Sequence, residues 1–209
     1  MNALERIAEL KLLPVIRIAD LSDAVPLADA LIGGGLPAAE ITFRTECAAE
    51  AIFRIRNAFP EMLVGAGTVL SVDQAKSAAA AGAGFIVSPG SNPAVIGYCT
   101  ENGIPIVPGC VTPSEIETAM SLGIGTVKFF PAEAYGGVRT ISALSAPYRS
   151  IRFIPTGGIN ESNLLSYLKC PSVIACGGSF MAEPSLIEGK RFDSIREATK
   201  KAVTLISEG

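Results

Sequence analysis

Short apolar runs alternate with helix-forming segments eight times along this chain, and glycines punctuate many of the joins. That rhythm limits the fold more than any other feature of the sequence. Strands hydrophobic on both faces must be covered on both faces, which is the condition of a parallel sheet wrapped by helices. The predicted strands are Leu12–Ile18, Ala38–Phe43, Leu63–Ala66, Phe85–Val87, Ile104–Val107, a sixth beginning at Thr126, Arg152–Ile154 and Val173–Cys176. A short opening helix is expected over 2–11, with others over 23–33, 46–58, 92–102, 138–145, 161–168 and 193–207. Ser71 caps an alanine-rich helix closed by Gly82, and Thr112-Pro113-Ser114-Glu115 is a capping box with proline at the first helical position. Eight such units in 209 residues, with no polar linker, predict a single (β/α)8 barrel domain spanning 1–209. An open doubly wound sheet is the alternative. Gly65-Ala66-Gly67 lacks the third glycine of a dinucleotide fingerprint.

Composition removes several classes of function. The net charge of −3 is spread without a basic block, so neither nucleic acid nor an anionic membrane is an expected partner. No apolar run approaches the roughly 18 residues of a membrane span, and the start lacks the pattern of a signal peptide. The five cysteines are scattered without disulfide or zinc spacing, which predicts a reduced, cytoplasmic setting and no metal site. Histidine is absent altogether. Ser-His-Asp and Cys-His hydrolysis are therefore excluded, and acid–base chemistry falls to Glu, Asp, Lys, Tyr or water.

In a barrel of this kind the active site lies where strands end and βα loops begin. Polar residues gather there: Glu40, Thr42 and Arg44 on strand two, Thr68 after strand three, Ser88 and Pro89 after strand four, and Lys128 on strand six. Thr156-Gly157-Gly158 and Gly177-Gly178-Ser179 follow strands seven and eight. Side chains alternate along a strand, so Glu40, Thr42 and Arg44 share one face while Ile41 and Phe43 take the other. By the same alternation Lys128 lies with Thr126, opposite Val127 and Phe129. Taken alone, Lys128 could be a surface residue whose stem covers apolar area while its head reaches water. Facing the barrel axis with Glu40 and Arg44, it has a different use. Burial can leave a lysine neutral and nucleophilic, able to form an imine that acts as an electron sink, with a glutamate moving protons. An arginine fork matches a substrate carboxylate. The glycine pairs after strands seven and eight allow backbone N–H groups to approach a phosphate, although tight turns alone are the alternative.

Glu40-Ile41-Thr42-Phe43-Arg44-Thr45, Gly65-Ala66-Gly67-Thr68-Val69, Ser88-Pro89-Gly90, Val107-Pro108-Gly109, Lys128-Phe129-Phe130-Pro131-Ala132-Glu133 and Pro155-Thr156-Gly157-Gly158-Ile159 together resemble the 2-keto-3-deoxy-6-phosphogluconate aldolases, a family that includes 4-hydroxy-2-oxoglutarate aldolases. The likeness runs in order over nearly the whole chain. It implies a cytoplasmic homotrimeric barrel of the Entner–Doudoroff type, without cofactor, that cleaves a phosphorylated keto acid to pyruvate and glyceraldehyde 3-phosphate. By position it implies Lys128 as Schiff-base lysine, Glu40 as proton carrier, Arg44 and Thr68 on the pyruvate carboxylate, and Pro89 lining the pocket. Thr156 is implied at the substrate hydroxyls, and Gly157, Gly158, Gly178 and Ser179 at the phosphate. Leu36-Pro37-Ala38-Ala39, ahead of Glu40, is smaller than the family pattern.

Overall fold

The computed structural model of the chain describes residues 1–209. Eight parallel strands wind in sequence order: β1 (Leu12–Ile16), β2 (Ala38–Thr42), β3 (Leu63–Gly67), β4 (Ile86–Val87), β5 (Ile106–Val107), β6 (Thr126–Phe129), β7 (Arg152–Pro155) and β8 (Cys176–Gly178). Continuous ladders join β5 through β1 to β8, and β6 to β7. Single bridges close the two gaps, between Gly109 and Lys128 and between β7 and the β8 segment at Phe153–Val173 and Thr156–Gly177. The result is a closed (β/α)8 barrel, not the open sheet.

Ten helices accompany the strands: α1 (Ala3–Leu10), α2 (Ala24–Gly33), α3 (Ala48–Ala58), α4 (Val72–Ala80), α5 (Pro93–Glu101), α6 (Pro113–Ser121), α7 (Gly137–Ser145), α8 (Leu164–Leu168), α9 (Pro184–Glu188) and α10 (Phe192–Glu208). The expected caps form: Ser71 accepts from the Gln74 N–H, and Thr112 and Glu115 make a reciprocal capping box. Gly35 and Gly123 take φ of 89° and 80° just beyond helix ends, a conformation with little penalty only for glycine. The short α9 has no counterpart in the sequence expectation. β8 also lies later than the predicted 173–176. Ile174 N–H donates to the Phe153 carbonyl, while pairing with β1 begins at Leu12–Cys176 and runs to Pro14–Gly178.

The apolar core has two layers. An outer layer between strands and helices contains Ile41, Val64, Val127, Phe129 and Phe153; an inner one on the barrel axis holds Leu13, Ala38, Leu63, Phe85, Val107 and Ile154. Residues of opposite parity on one strand thus fall in opposite layers, as alternation demands. Ile7 of α1, fully buried, joins the inner layer from the N-terminal mouth, and Arg6 ties that helix to the Glu61 carbonyl at 2.7 Å. The small residues of β2 are matched by a large neighbour. Phe85 fills the axis so completely that a Cβ on Gly65 would stand 2.3 Å from its ring. Phe85→Ala is expected to cost about 3–5 kcal/mol through the cavity it leaves. Gly65→Ala is expected to cost about 1–3 kcal/mol by overpacking. Denaturant unfolding measures both, and a change below about 0.5 kcal/mol in either would contradict this packing.

Candidate active site

β2 and β6 stand four strands apart in a ring of eight, so they face each other across the barrel axis. From these two strands Glu40 and Lys128 reach inward, with side chains only 2% and 7% exposed. Lys128 Nζ donates to Glu40 Oε1 at 3.1 Å. The bonds that hold Lys128 in place come from the loop after β5. Its N–H donates to the Pro108 carbonyl at 2.8 Å, and its carbonyl accepts from Cys110 at 2.9 Å. The ring of Phe130 lies 5.4 Å from Nζ, close enough for a cation–π contact. Glu40 has room only because residue 67 is glycine, where a Cβ would fall 2.1 Å from Oε1.

Lys128, with Glu40 behind it, lines a cavity of about 150 Å³ at the C-terminal end of the strands, together with Arg44, Thr156, Gly157, Gly158, Gly178, Ser179, Val15, Phe130 and Ile159. Arg44 lies beyond the end of β2, exposed, and its Nε donates to Thr68 Oγ1 at 3.2 Å. Thr68 holds φ of 57°, uncommon for a β-branched side chain, so the backbone is strained where its hydroxyl meets the guanidinium. Thr156 is 6% exposed, and its hydroxyl has no hydrogen-bond partner within the protein; the same holds for buried Ser88. Pro89 is half-buried and stands outside this cavity, its carbonyl filling the space that a Cβ on Gly109 would need.

The wall next to the lysine strand, formed by the loop after β7, is built from peptide groups. The carbonyls of Thr156 and Gly157 accept from the N–H groups of Ala132 and Glu133, at 2.8 and 3.1 Å. Both amides of Asn160 and Asn163 donate to the Gly158 carbonyl, at 3.2 and 2.9 Å. In a trans peptide the N–H points opposite its carbonyl. The N–H groups of Gly157, Gly158 and Ile159 are therefore turned away from those partners. Like that of Ser179, they donate to no protein acceptor. A row of free backbone donors beside a cavity is suited to an anion.

Burial pushes the thiols of Cys110 and Cys176 up to about 12, with Glu115 adding to the effect at Cys110, so neither is a thiolate near neutral pH. No three His, Cys, Asp or Glu side chains converge on a common point, and no helix is long and apolar enough to cross a membrane. Sequence reasoning missed Val15, Phe130 and Ile159, which carry no reactive group. The one signal available for Val15 is its parity with inward-facing Leu13, and it pairs in register with Glu40.

The model of the family described as "KDPG and KHG aldolase" matches residues 4–198. The 2-dehydro-3-deoxy-phosphogluconate aldolase of Treponema pallidum is 48% identical over 205 residues, which is 98% of this chain and 96% of the relative. The corresponding aldolase of Haemophilus influenzae is 45% identical, covering 97% and 96%. The crystal structure of the KDPG aldolase of Legionella pneumophila, with pyruvate captured at low pH as a covalent carbinolamine, matches with a TM-score of 0.93 at 37% identity, covering 96% of this chain and 98% of that one. A barrel of this topology, with this sequence likeness from end to end, belongs to the KDPG and KHG aldolase family.

Proposed function

We propose that this chain is a class I aldolase that cleaves 2-dehydro-3-deoxy-6-phosphogluconate to pyruvate and D-glyceraldehyde 3-phosphate, and that it also cleaves 4-hydroxy-2-oxoglutarate to pyruvate and glyoxylate. The observation that carries this reading is the buried Lys128, 3.1 Å from Glu40, lining a cavity to which the loop after β7 presents unpartnered N–H groups. The relatives' names and the covalent pyruvate adduct of the Legionella enzyme support the same activity.

An ammonium is not a nucleophile, so a proton must first leave Lys128 Nζ, and Glu40 is the acceptor within reach. The free amine adds to the C2 ketone, giving a carbinolamine. Glu40 returns its proton to the departing hydroxyl, which leaves as water, and the iminium remains. Ionised again, Glu40 takes the C4 hydroxyl proton, directly or through a water. C3–C4 then breaks, its electron pair moves into the iminium to form the enamine, and the aldehyde leaves. Glu40 protonates C3, and water hydrolyses the iminium to release pyruvate and the lysine. The phenyl ring of Phe130 walls one side of the reacting amine.

Arg44 and Thr68 hold the substrate carboxylate in this reading, and their mutual hydrogen bond orients the guanidinium fork toward it. Pro89 acts from outside the cavity, its carbonyl packed against Gly109 in the loop that holds the Lys128 backbone. The unpartnered hydroxyl of Thr156 meets the substrate hydroxyls and is suited to distinguishing the gluconate from its galactonate epimer at C4. Gly157, Gly158, Gly178 and Ser179 cradle the phosphate. The working enzyme is a cytoplasmic homotrimer of single-domain barrels acting in Entner–Doudoroff carbohydrate breakdown. Exposed Phe53, Leu70 and Met120 supply apolar surface for subunit contacts.

Glu40→Gln is expected to lower turnover on the order of 10²-fold or more in a coupled pyruvate-release assay, and wild-type-like turnover would argue against its proton-carrying role. Ser179→Asp places a negative charge beside the phosphate donors. It should raise KM at least tenfold for the phosphorylated substrate while leaving 4-hydroxy-2-oxoglutarate cleavage within about twofold. Equal losses on both substrates would place the phosphate elsewhere.

A further inference from the structure

The strand that carries Lys128 continues into Pro131-Ala132-Glu133, and the reaction just described gives Glu133 no task. Backbone bonds extend the β6–β7 ladder past the ends of both strands. Thr156 N–H donates to the Phe129 carbonyl at 2.9 Å, Ala132 N–H to Thr156 at 2.8 Å, and Glu133 N–H to Gly157 at 3.1 Å. The lysine's loop and the glycine loop are thereby joined edge to edge. The Glu133 side chain adds a second contact, since a Cβ on Gly158 would stand 2.5 Å from its Cγ. Gly157 and Gly158 have φ of 100° and 83°, and a Cβ on Gly157 would stand 3.1 Å from Pro131 Cα.

The far end of Glu133 is anchored. Tyr167, on α8 and 1% exposed, donates its hydroxyl to Glu133 Oε1. Residue 137, with φ of 57°, approaches the same bond so closely that a Cβ there would lie 2.8 Å from the tyrosine oxygen and 3.1 Å from the carboxylate. Burial first, and the Glu133 hydrogen bond second, push the phenol's pKa upward, so it stays a donor through the neutral range. Glycines from two loops thus crowd one hydrogen bond that lies behind the anion-facing peptides.

We propose that Glu133 and Tyr167 are positioning residues that set phosphate affinity: their bond holds the Glu133 backbone against Gly157, and so fixes the direction of the Gly157, Gly158 and Ile159 N–H groups. The inference rests on the phosphate reading of this loop. Neither residue lines the cavity, so they act through the peptides that do. Loss of the tyrosine hydroxyl frees Glu133, lets the glycine peptides rotate, and blurs the donor row without touching Lys128 or Glu40.

The test is steady-state kinetics on both aldol substrates with Tyr167→Phe, Glu133→Ala and Glu133→Gln, each checked for folding by thermal melting. Tyr167→Phe and Glu133→Ala should each raise KM for the phosphorylated substrate roughly 5- to 20-fold, a loss of the size expected when aligned hydrogen bonds are disturbed. Their kcat, and both constants for 4-hydroxy-2-oxoglutarate, should stay within about twofold of wild type. Glu133→Gln retains an acceptor for Tyr167 and should stay within about threefold on the phosphorylated substrate. Equal losses on both substrates, or unchanged KM in both disruptive variants, overturn the positioning role. If Tyr167→Phe fails to fold, Glu133→Ala decides, because that side chain lies at the surface. Failure of the phosphate reading itself has a separate signature. Wild type would then favour neither substrate, and inorganic phosphate would not compete with the phosphorylated one.

Discussion

The structure depends most on a charge pair that crosses the barrel axis. Lys128 and Glu40 come from opposite strands of the ring, and each is nearly sealed from water. Desolvating two charges is costly, and removing either partner from such a pair typically destabilises by about 3–5 kcal/mol, because the survivor is left buried and uncompensated. The surroundings are arranged accordingly. Below the pair the axis is filled by apolar side chains; beside it Gly67 leaves the space that Glu40 needs, and the loop after β5 clamps the lysine's backbone on both sides. The same desolvation suits the pair to proton exchange with a substrate that displaces water from the cavity.

Toward the catalytic mouth the packing logic changes from side chains to peptides. Thr156, Gly157 and Gly158 orient their carbonyls toward fixed partners, leaving the N–H groups of Gly157, Gly158 and Ile159 free on the other side. Gly157 and Gly158 permit this because their positive φ turns successive peptides in the same sense. Such a wall can bind an anion without a single cationic side chain. Arg44, from the loop after β2 rather than β7, supplies the one guanidinium among the lining residues. The cavity is thus polar at two separated points, as a substrate with a carboxylate at one end and a phosphate at the other requires.

Much of this was legible from residue order, because strand parity is a strong rule wherever both faces are buried. Glu40 and Lys128 were placed on the axis by their alternation with Ile41 and Val127, and the outer layer indeed takes the latter two. What escaped was set by backbone pairing. β8 is Cys-Gly-Gly, a poor strand by propensity, and exists because β1 offers it a ladder. The more strand-like Val173 and Ile174 meet β7 by one isolated bridge instead. Val15, Phe130 and Ile159 have no reactive atoms to mark them. The bond from Tyr167 to Glu133 joins residues 34 positions apart, and no periodicity or motif foretells it.

The central claim is that Lys128 forms the imine, and the most direct test is covalent. Borohydride reduction in the presence of pyruvate, followed by peptide mass spectrometry, should fix a three-carbon adduct on Lys128, with no adduct in Lys128→Met. Undiminished labelling of that variant, or an adduct mapped to another lysine, would contradict the account.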